Sequence, residues 1–260
     1  MIRLSLTWPL NKKIEAASWG ALAASPLNLM EKIQMKNYDK EYAMKSVNDF
    51  VFMSQQVQDK LLDIVNGTQP FPVAGKNGIL LWGAVGTGKT ALAKLLPNAI
   101  EARLSGNPAN ESFWGISQGG ANGSQVISNI LNASQFVPYG AWNHYFVLDE
   151  VDQLRSDSMG SLRTVMGNSQ TVFILRTNHP NKVEASVKSR CHLIQCDAAP
   201  DDRWLPVVKN ILQCEGLAGI YPDDALLNII SKCGGCARDI LSSTYCLAEK
   251  AKAAIASKAA

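Results

Sequence analysis

A glycine-spaced turn followed by a lysine and a threonine, Gly83-Ala84-Val85-Gly86-Thr87-Gly88-Lys89-Thr90, has the residue types and spacing that grip a polyphosphate. Gly83, Gly86 and Gly88 let backbone N–H groups close around phosphate oxygens, with Thr87 in the same cradle, and the following helix N-terminus adds partial positive charge. Lys89 is positioned to reach the β- and γ-phosphates of a nucleoside triphosphate, and the Thr90 hydroxyl to ligate Mg²⁺. The context agrees: the apolar run Gly-Ile-Leu-Leu-Trp (78–82) precedes the turn and a helical pattern from Ala91 follows it. An ordinary glycine-rich turn that binds nothing is the plain alternative, and it explains neither the filled positions nor the flanks.

Further along, Asp149-Glu150 closes the apolar run His-Tyr-Phe-Val-Leu (144–148). A carboxylate at the C-terminal end of a strand lies in the crevice where an open α/β sheet binds ligands. Asp149 is then the Mg²⁺ ligand, and Glu150 the general base for an attacking water. Asn178 follows the run Thr-Val-Phe-Ile-Leu (171–175) in the same way, where a neutral amide can orient water beside a phosphate. Arg190 and Arg238 carry the rigid fork that suits phosphate oxygens. Spacing alone leaves both open between that role and a surface ion pair.

These side chains need a frame. Ser54 is an N-cap before a helix carrying Val57, Leu61, Leu62, Ile64 and Val65, and 47–52 reads as a short extended segment. A helix is expected over 91–104, with Pro97 as a kink or terminus. A polar, glycine-rich stretch follows over 105–124, then a helix at Val126, Ile127, Ile130 and Leu131. Strands are expected at 78–82, 144–148, 171–175 and 193–196, with a helix at Met159 to Met166. After Pro200 the alternation stops, and 205–212, 225–233 and 238–256 read as helices. The expected fold class is α/β: a P-loop αβα sandwich around a parallel sheet, followed by a small helical lid. The expected division is a leader over 1–36, a nucleotide-binding domain over 37–198 and a lid over 199–260.

With 260 residues, 47% of them hydrophobic, the chain can bury real cores. A net charge of +3 neither demands nor excludes nucleic acid, no apolar run approaches a bilayer span, and no secretory signal is evident, so the expected setting is cytoplasmic. All six cysteines lie between Cys191 and Cys246. Cys233 and Cys236 read as free thiols about a glycine helix break rather than as half of a zinc site.

The ordered set GAVGTGKT, VLDEVDQL, ILRTN, VKSRC and GGCARD resembles an AAA+ ATPase, and within that superfamily the clamp-loader ATPase subunits of DNA replication. The likeness spans 38–251. It implies ATP and Mg²⁺ bound by Lys89, Thr90 and Asp149, water activated by Glu150, and Asn178 as a sensor. It further implies Arg190 as a finger reaching a neighbour's nucleotide, Arg238 as the lid sensor, and adenine between the 48–51 segment and the lid. Partners follow from the same likeness: self-association into a ring or spiral, or assembly with related subunits, and a protein client.

Three departures qualify it. The collar domain of clamp loaders has no counterpart after the lid. The stretch 104–143 contains no lysine or arginine, so DNA contact there would fall to groups such as Gln125, Ser128 and Asn129. Cysteine follows the glycine pair where the family carries an acidic residue. Two alternatives therefore stand beside a clamp-loader-like role: a loader or remodeller of a helicase, transposition or other protein, and an ATP-binding scaffold with little hydrolysis.

Overall fold

The structure is a computed structural model that describes residues 37–168 and 170–259. The leader expected over 1–36 lies outside the described residues. The chain divides into two compact units, Met1–Glu41 and Tyr42–Ala260. The described part of the first contains a four-residue helix, Tyr38–Glu41.

In the second unit the Ser54 hydroxyl accepts the Val57 N–H at 3.4 Å and starts α1 (Gln55–Asn66), which Gly67 ends in the left-handed region at φ 81°. Strands and helices then alternate: β1 (Gly78–Trp82), α2 (Lys89–Leu104), β2 (Asn110–Gly115), α3 (Gly123–Ala133), β3 (His144–Asp149), α4 (Ser156–Val165), β4 (Thr171–Thr177), the short α5 (Ala185–Lys188) and β5 (Cys191–Gln195). The five strands form one sheet in the order β2-β3-β4-β1-β5, and every neighbouring pair is parallel.

Both sheet faces are covered, which is why β1, β3 and β4 are apolar runs rather than alternating ones. Leu81, Val147, Ile174 and Ile194 face a core with Leu61 and Ile64 of α1 and Leu92, Leu96 and Ile100 of α2. Leu80, Phe146, Leu148, Phe173 and Leu175 face a second core with Ile127 and Ile130 of α3 and Met159 and Leu162 of α4. This is the αβα sandwich expected.

The tail is helical: α6 (Asp201–Cys214), α7 (Asp223–Lys232) and α8 (Ala237–Ala259). Pro200 and Pro222 precede the first two, and Asp201, Asp202, Asp223 and Asp224 place negative charge at their N-termini. The three enclose their own core of Trp204, Val208, Leu212, Leu226, Ile230 and Ile240.

Three local expectations are corrected. The 47–52 segment is not extended throughout, because Val47–Asp49 is a 3-10 turn whose Asp49 carboxylate accepts the Ser46 N–H at 2.8 Å. Of the two expectations for Pro97, kink or terminus, the terminus falls, because α2 runs on past it. A proline inside a helix costs about 3 kcal/mol. Leu92, Leu96 and Ile100, all fully buried on the sheet, offset it at about 1.5–3 kcal/mol each. Finally, the polar, glycine-rich stretch 105–124, for which no strand is expected, contains β2, an edge strand held on one side by β3. Its sequence, Asn-Glu-Ser-Phe-Trp-Gly, lacks the β-branched residues that mark central strands.

Candidate active site

The phosphate loop leaves β1 at Trp82, whose neighbours are Thr177 of β4 and Gln195 of β5. The C-terminal strand ends therefore meet at the loop. Gly83 has φ 139°, and a Cβ there would lie 2.6 Å from Asp197 Oδ1 and 2.7 Å from the Cys196 carbonyl. Gly86 and Gly88 are left-handed at φ 81° and 91°. Only glycine adopts these conformations at little cost.

Lys89 is 2% exposed and folds back over the loop, donating to the carbonyls of Gly83 at 3.0 Å and Ala84. Burial, and then the nearby Arg176 charge, pull its ammonium below the ordinary lysine range. Thr87, also buried, donates its hydroxyl to the Ala84 carbonyl at 3.0 Å. Thr90 Oγ1 donates to Asp149 Oδ2 at 3.3 Å, so the two residues expected to hold Mg²⁺ are adjacent.

Glu150 follows in the left-handed region, φ 58° and ψ 44°, with its side chain half exposed. A non-glycine residue there stores about 1–3 kcal/mol of strain, and such strain collects at functional sites. Here it takes Glu150 out of the strand and leaves its carboxylate half exposed. Just past the end of β4 the Asn178 Oδ1 is buried without a hydrogen-bond partner. Its neighbour Thr177 donates to Asp152 Oδ1 at 2.7 Å, tying the end of β4 to the turn after β3.

Register adds a residue that the sequence reading passed over. Leu148 of β3 pairs with Leu175 of β4, so Asp149 and Arg176 stand in the next row, and Arg176 pairs with Leu81 of β1. Alternation puts that row on the α1–α2 side of the sheet, the side of Lys89 and Thr90. Arg176 donates through Nη1 to Asp149 Oδ1 and lies 3.8 Å from Glu150 Oε1. Its Nε is buried without a partner. A charged residue closing an apolar strand was the available signal, but only pairing shows what it faces.

Asp197 was missed as well, and Cys236, expected only as a free thiol, also meets the loop. Asp197 accepts the Ala84 N–H at 2.7 Å and the Gln195 amide at 2.6 Å, bracing the loop from β5. From the helical tail, the Arg238 N–H donates to the Gly86 carbonyl at 3.3 Å, and Cys236 Sγ would lie 2.5 Å from a Cβ at Gly86. Arg238 is exposed, and the group by which it meets the loop here is its backbone N–H. The 48–51 segment lies between loop and tail: the Phe50 ring would be 3.4 Å from a Cβ at Gly88, and Val51 packs on the helical core.

Arg190 is not brought to this site. Its carbonyl accepts the N–H of Gly78, the first residue of β1, at the end of the sheet opposite the loop, and its Nη1 donates to the Ser186 carbonyl at 2.9 Å. The length of β1 separates it from Lys89.

The donor set fits a metal–polyphosphate. It offers a hydroxyl and a carboxylate side by side, a lysine and an arginine nearby, and two orphaned buried polar atoms, Asn178 Oδ1 and Arg176 Nε, each lacking the partner a buried polar group normally has.

Residues 79–196 match the family model of the ATPase family associated with various cellular activities, AAA. With the fold above, residues 79–196 are similar to that family in both sequence and architecture. Among curated proteins the chain is similar to replication factor C small subunits. It is 27% identical over 195 residues to small subunit 2 of Pyrobaculum islandicum, covering 73% of this chain and 57% of that one. It is 29% identical over 143 residues to the small subunit of Methanococcus maripaludis, covering 54% and 44%. The chain thus spans about half the length of the curated relatives it matches. Among solved structures, a variant of Thermotoga maritima RuvB superposes with TM-score 0.59 at 16% identity over 78% of this chain and 64% of that one. That likeness concerns the fold.

Proposed function

We propose that this chain is an ATPase that works as an oligomer and couples ATP binding and hydrolysis to a DNA-replication transaction, in the manner of a clamp loader. The observation that carries this reading is the convergence of Lys89, Thr90, Asp149, Glu150 and Asn178 at one end of the sheet, with Arg190 at the other. An arginine so placed serves its own site poorly and a neighbour's well.

In this reading Lys89 exchanges its loop carbonyls for phosphate oxygens, while Thr90 and Asp149 would hold Mg²⁺, which would supply positive charge to the phosphates. Glu150 takes the proton of the attacking water, and Asn178 Oδ1 accepts that water's second proton as a hydrogen bond. Arg190 of an adjacent copy stabilises charge as the phosphoryl group transfers. Residues 37–198 form the nucleotide-binding domain and 199–260 the lid, with the Arg238 and Cys236 contacts to Gly86 passing loop movement to the helices.

The test is steady-state ATPase rate against protein concentration, with and without primed DNA, and with Glu150→Gln as background. Activity rising with concentration and again with DNA supports the proposal; a rate that Glu150→Gln leaves unchanged overturns it.

A second reading, a loader or remodeller of a protein client, is favoured by one observation. Between α3 and β3 the loop exposes Phe136, Val137, Tyr139 and Trp142 at 71%, 78%, 98% and 65%. The loop is nonetheless pinned: the Trp142 N–H donates to buried Glu101 at 2.7 Å, and Asn107 donates to the Gly140 carbonyl at 2.8 Å. Ordered, exposed aromatics suit a protein surface. Activity rising with concentration and indifferent to DNA would select this reading.

A further inference from the structure

We propose that Arg176 is a positioning residue that acts as the internal counter-cation of the acid pair Asp149–Glu150, and thereby sets how strongly nucleotide binding depends on divalent metal. This deepens the nucleotide-site reading above and rests on it.

Adjacent carboxylates at the end of a strand repel one another, and Asp149 is largely out of water, its side chain 16% exposed. An anion placed there requires a cation. Arg176, 13% exposed on the neighbouring strand and in the same row, supplies it: Nη1 holds Asp149 Oδ1, and the same nitrogen lies 3.8 Å from Glu150 Oε1. The other oxygen of Asp149 turns to Thr90, the second expected metal ligand. Guanidinium and metal therefore draw on opposite oxygens of one carboxylate, at a separation where like charges disfavour each other. The chain carries part of the metal's positive charge itself.

Arg176 also borders the phosphate-binding side. Its charge is felt at Lys89, and its Nε lacks an acceptor although buried. A phosphate oxygen satisfies that donor, so Arg176 offers charge to nucleotide even before metal arrives.

The consequence is a metal coupling, the dissociation constant of nucleotide in EDTA divided by that in MgCl₂. With Arg176 present the coupling is small, because metal-free nucleotide already meets two cations and the metal meets a partly neutralised Asp149. Arg176→Gln should weaken metal-free binding and raise the coupling at least tenfold. The probe is N-methylanthraniloyl-ATP titrated by fluorescence anisotropy into the full chain, with thermal unfolding of each variant alongside. Arg176→Lys keeps the charge but not the fork, and should raise the coupling by a smaller factor, about threefold. It also serves as the test should the glutamine variant not fold.

A coupling unchanged in the variants, or both constants weakening equally with a fall in Tm, would overturn the proposal and leave Arg176 a structural tie. Wild-type protein that binds no nucleotide under either condition would overturn the ATPase reading, and this inference with it.

Discussion

Adding one methyl group at Gly86 tests whether the helical tail rests on the phosphate loop. Gly86 has φ 81°, and a Cβ there would meet Cys236 Sγ at 2.5 Å and Cys236 Cβ at 3.8 Å. Two costs follow from Gly86→Ala. Holding a residue with a Cβ in the left-handed region costs about 1–2 kcal/mol. The collision with sulfur, an overpacking defect, costs about 1–3 kcal/mol more. Only the second depends on the tail. Cys236→Ala removes the sulfur and leaves a carbon at ordinary van der Waals distance, so the double variant should recover the steric part and keep the backbone part. At about 2–4 °C per kcal/mol for a chain of this size, Gly86→Ala should lower Tm by roughly 4–20 °C. Adding Cys236→Ala should restore roughly 2–12 °C of that loss. Thermal unfolding of the four proteins gives the interaction energy. If the two changes add within about 0.5 kcal/mol, tail and loop do not touch in solution, and the route from nucleotide to lid fails with them.

Arg190→Ala should bind nucleotide like wild type yet lose hydrolysis by about 10³-fold or more, and mixing with Lys89→Ala protein should restore it, each supplying what the other lacks. Normal hydrolysis by Arg190→Ala at every protein concentration would remove the finger. Glu150→Gln should lower kcat by about 10²–10⁴-fold while leaving nucleotide affinity within a few-fold, since the amide keeps the shape and loses the base. His192 is 8% exposed with its Nε2 unpartnered, and burial, followed by the Lys76 and Lys60 charges, pulls its pKa below 6.5. The unfolded chain then binds the proton first, so its stability contribution, complete above pH 6.5, falls as pH drops toward the folded value. Tm measured between pH 7.5 and 5.5 should therefore decline, and more shallowly in His192→Phe; equal slopes would refute the assignment.

The order and type of the central elements were legible in the residues themselves. Apolar runs such as Ile79-Leu80-Leu81 and Phe173-Ile174-Leu175 announce strands buried on both faces, and the glycine-lysine-threonine turn announces a phosphate loop, because both depend on local backbone requirements and residue polarity. Asp149, Glu150 and Asn178 were legible for the same reason, each standing at the end of such a run. The edge strand β2 was not, since one-sided pairing lets a strand tolerate polar residues. Nor was the passage of α2 through Pro97, which burial against the sheet decides. Arg176, Asp197 and Cys236 became site residues only through strand register, the turn after β5, and the return of the tail onto the loop. Each meets the site from a distant point in the chain. Residue type and local spacing determined which chemistry this chain can hold; tertiary contact alone decided which charges surround it, because electrostatic partners are set by distance in space and not along the sequence.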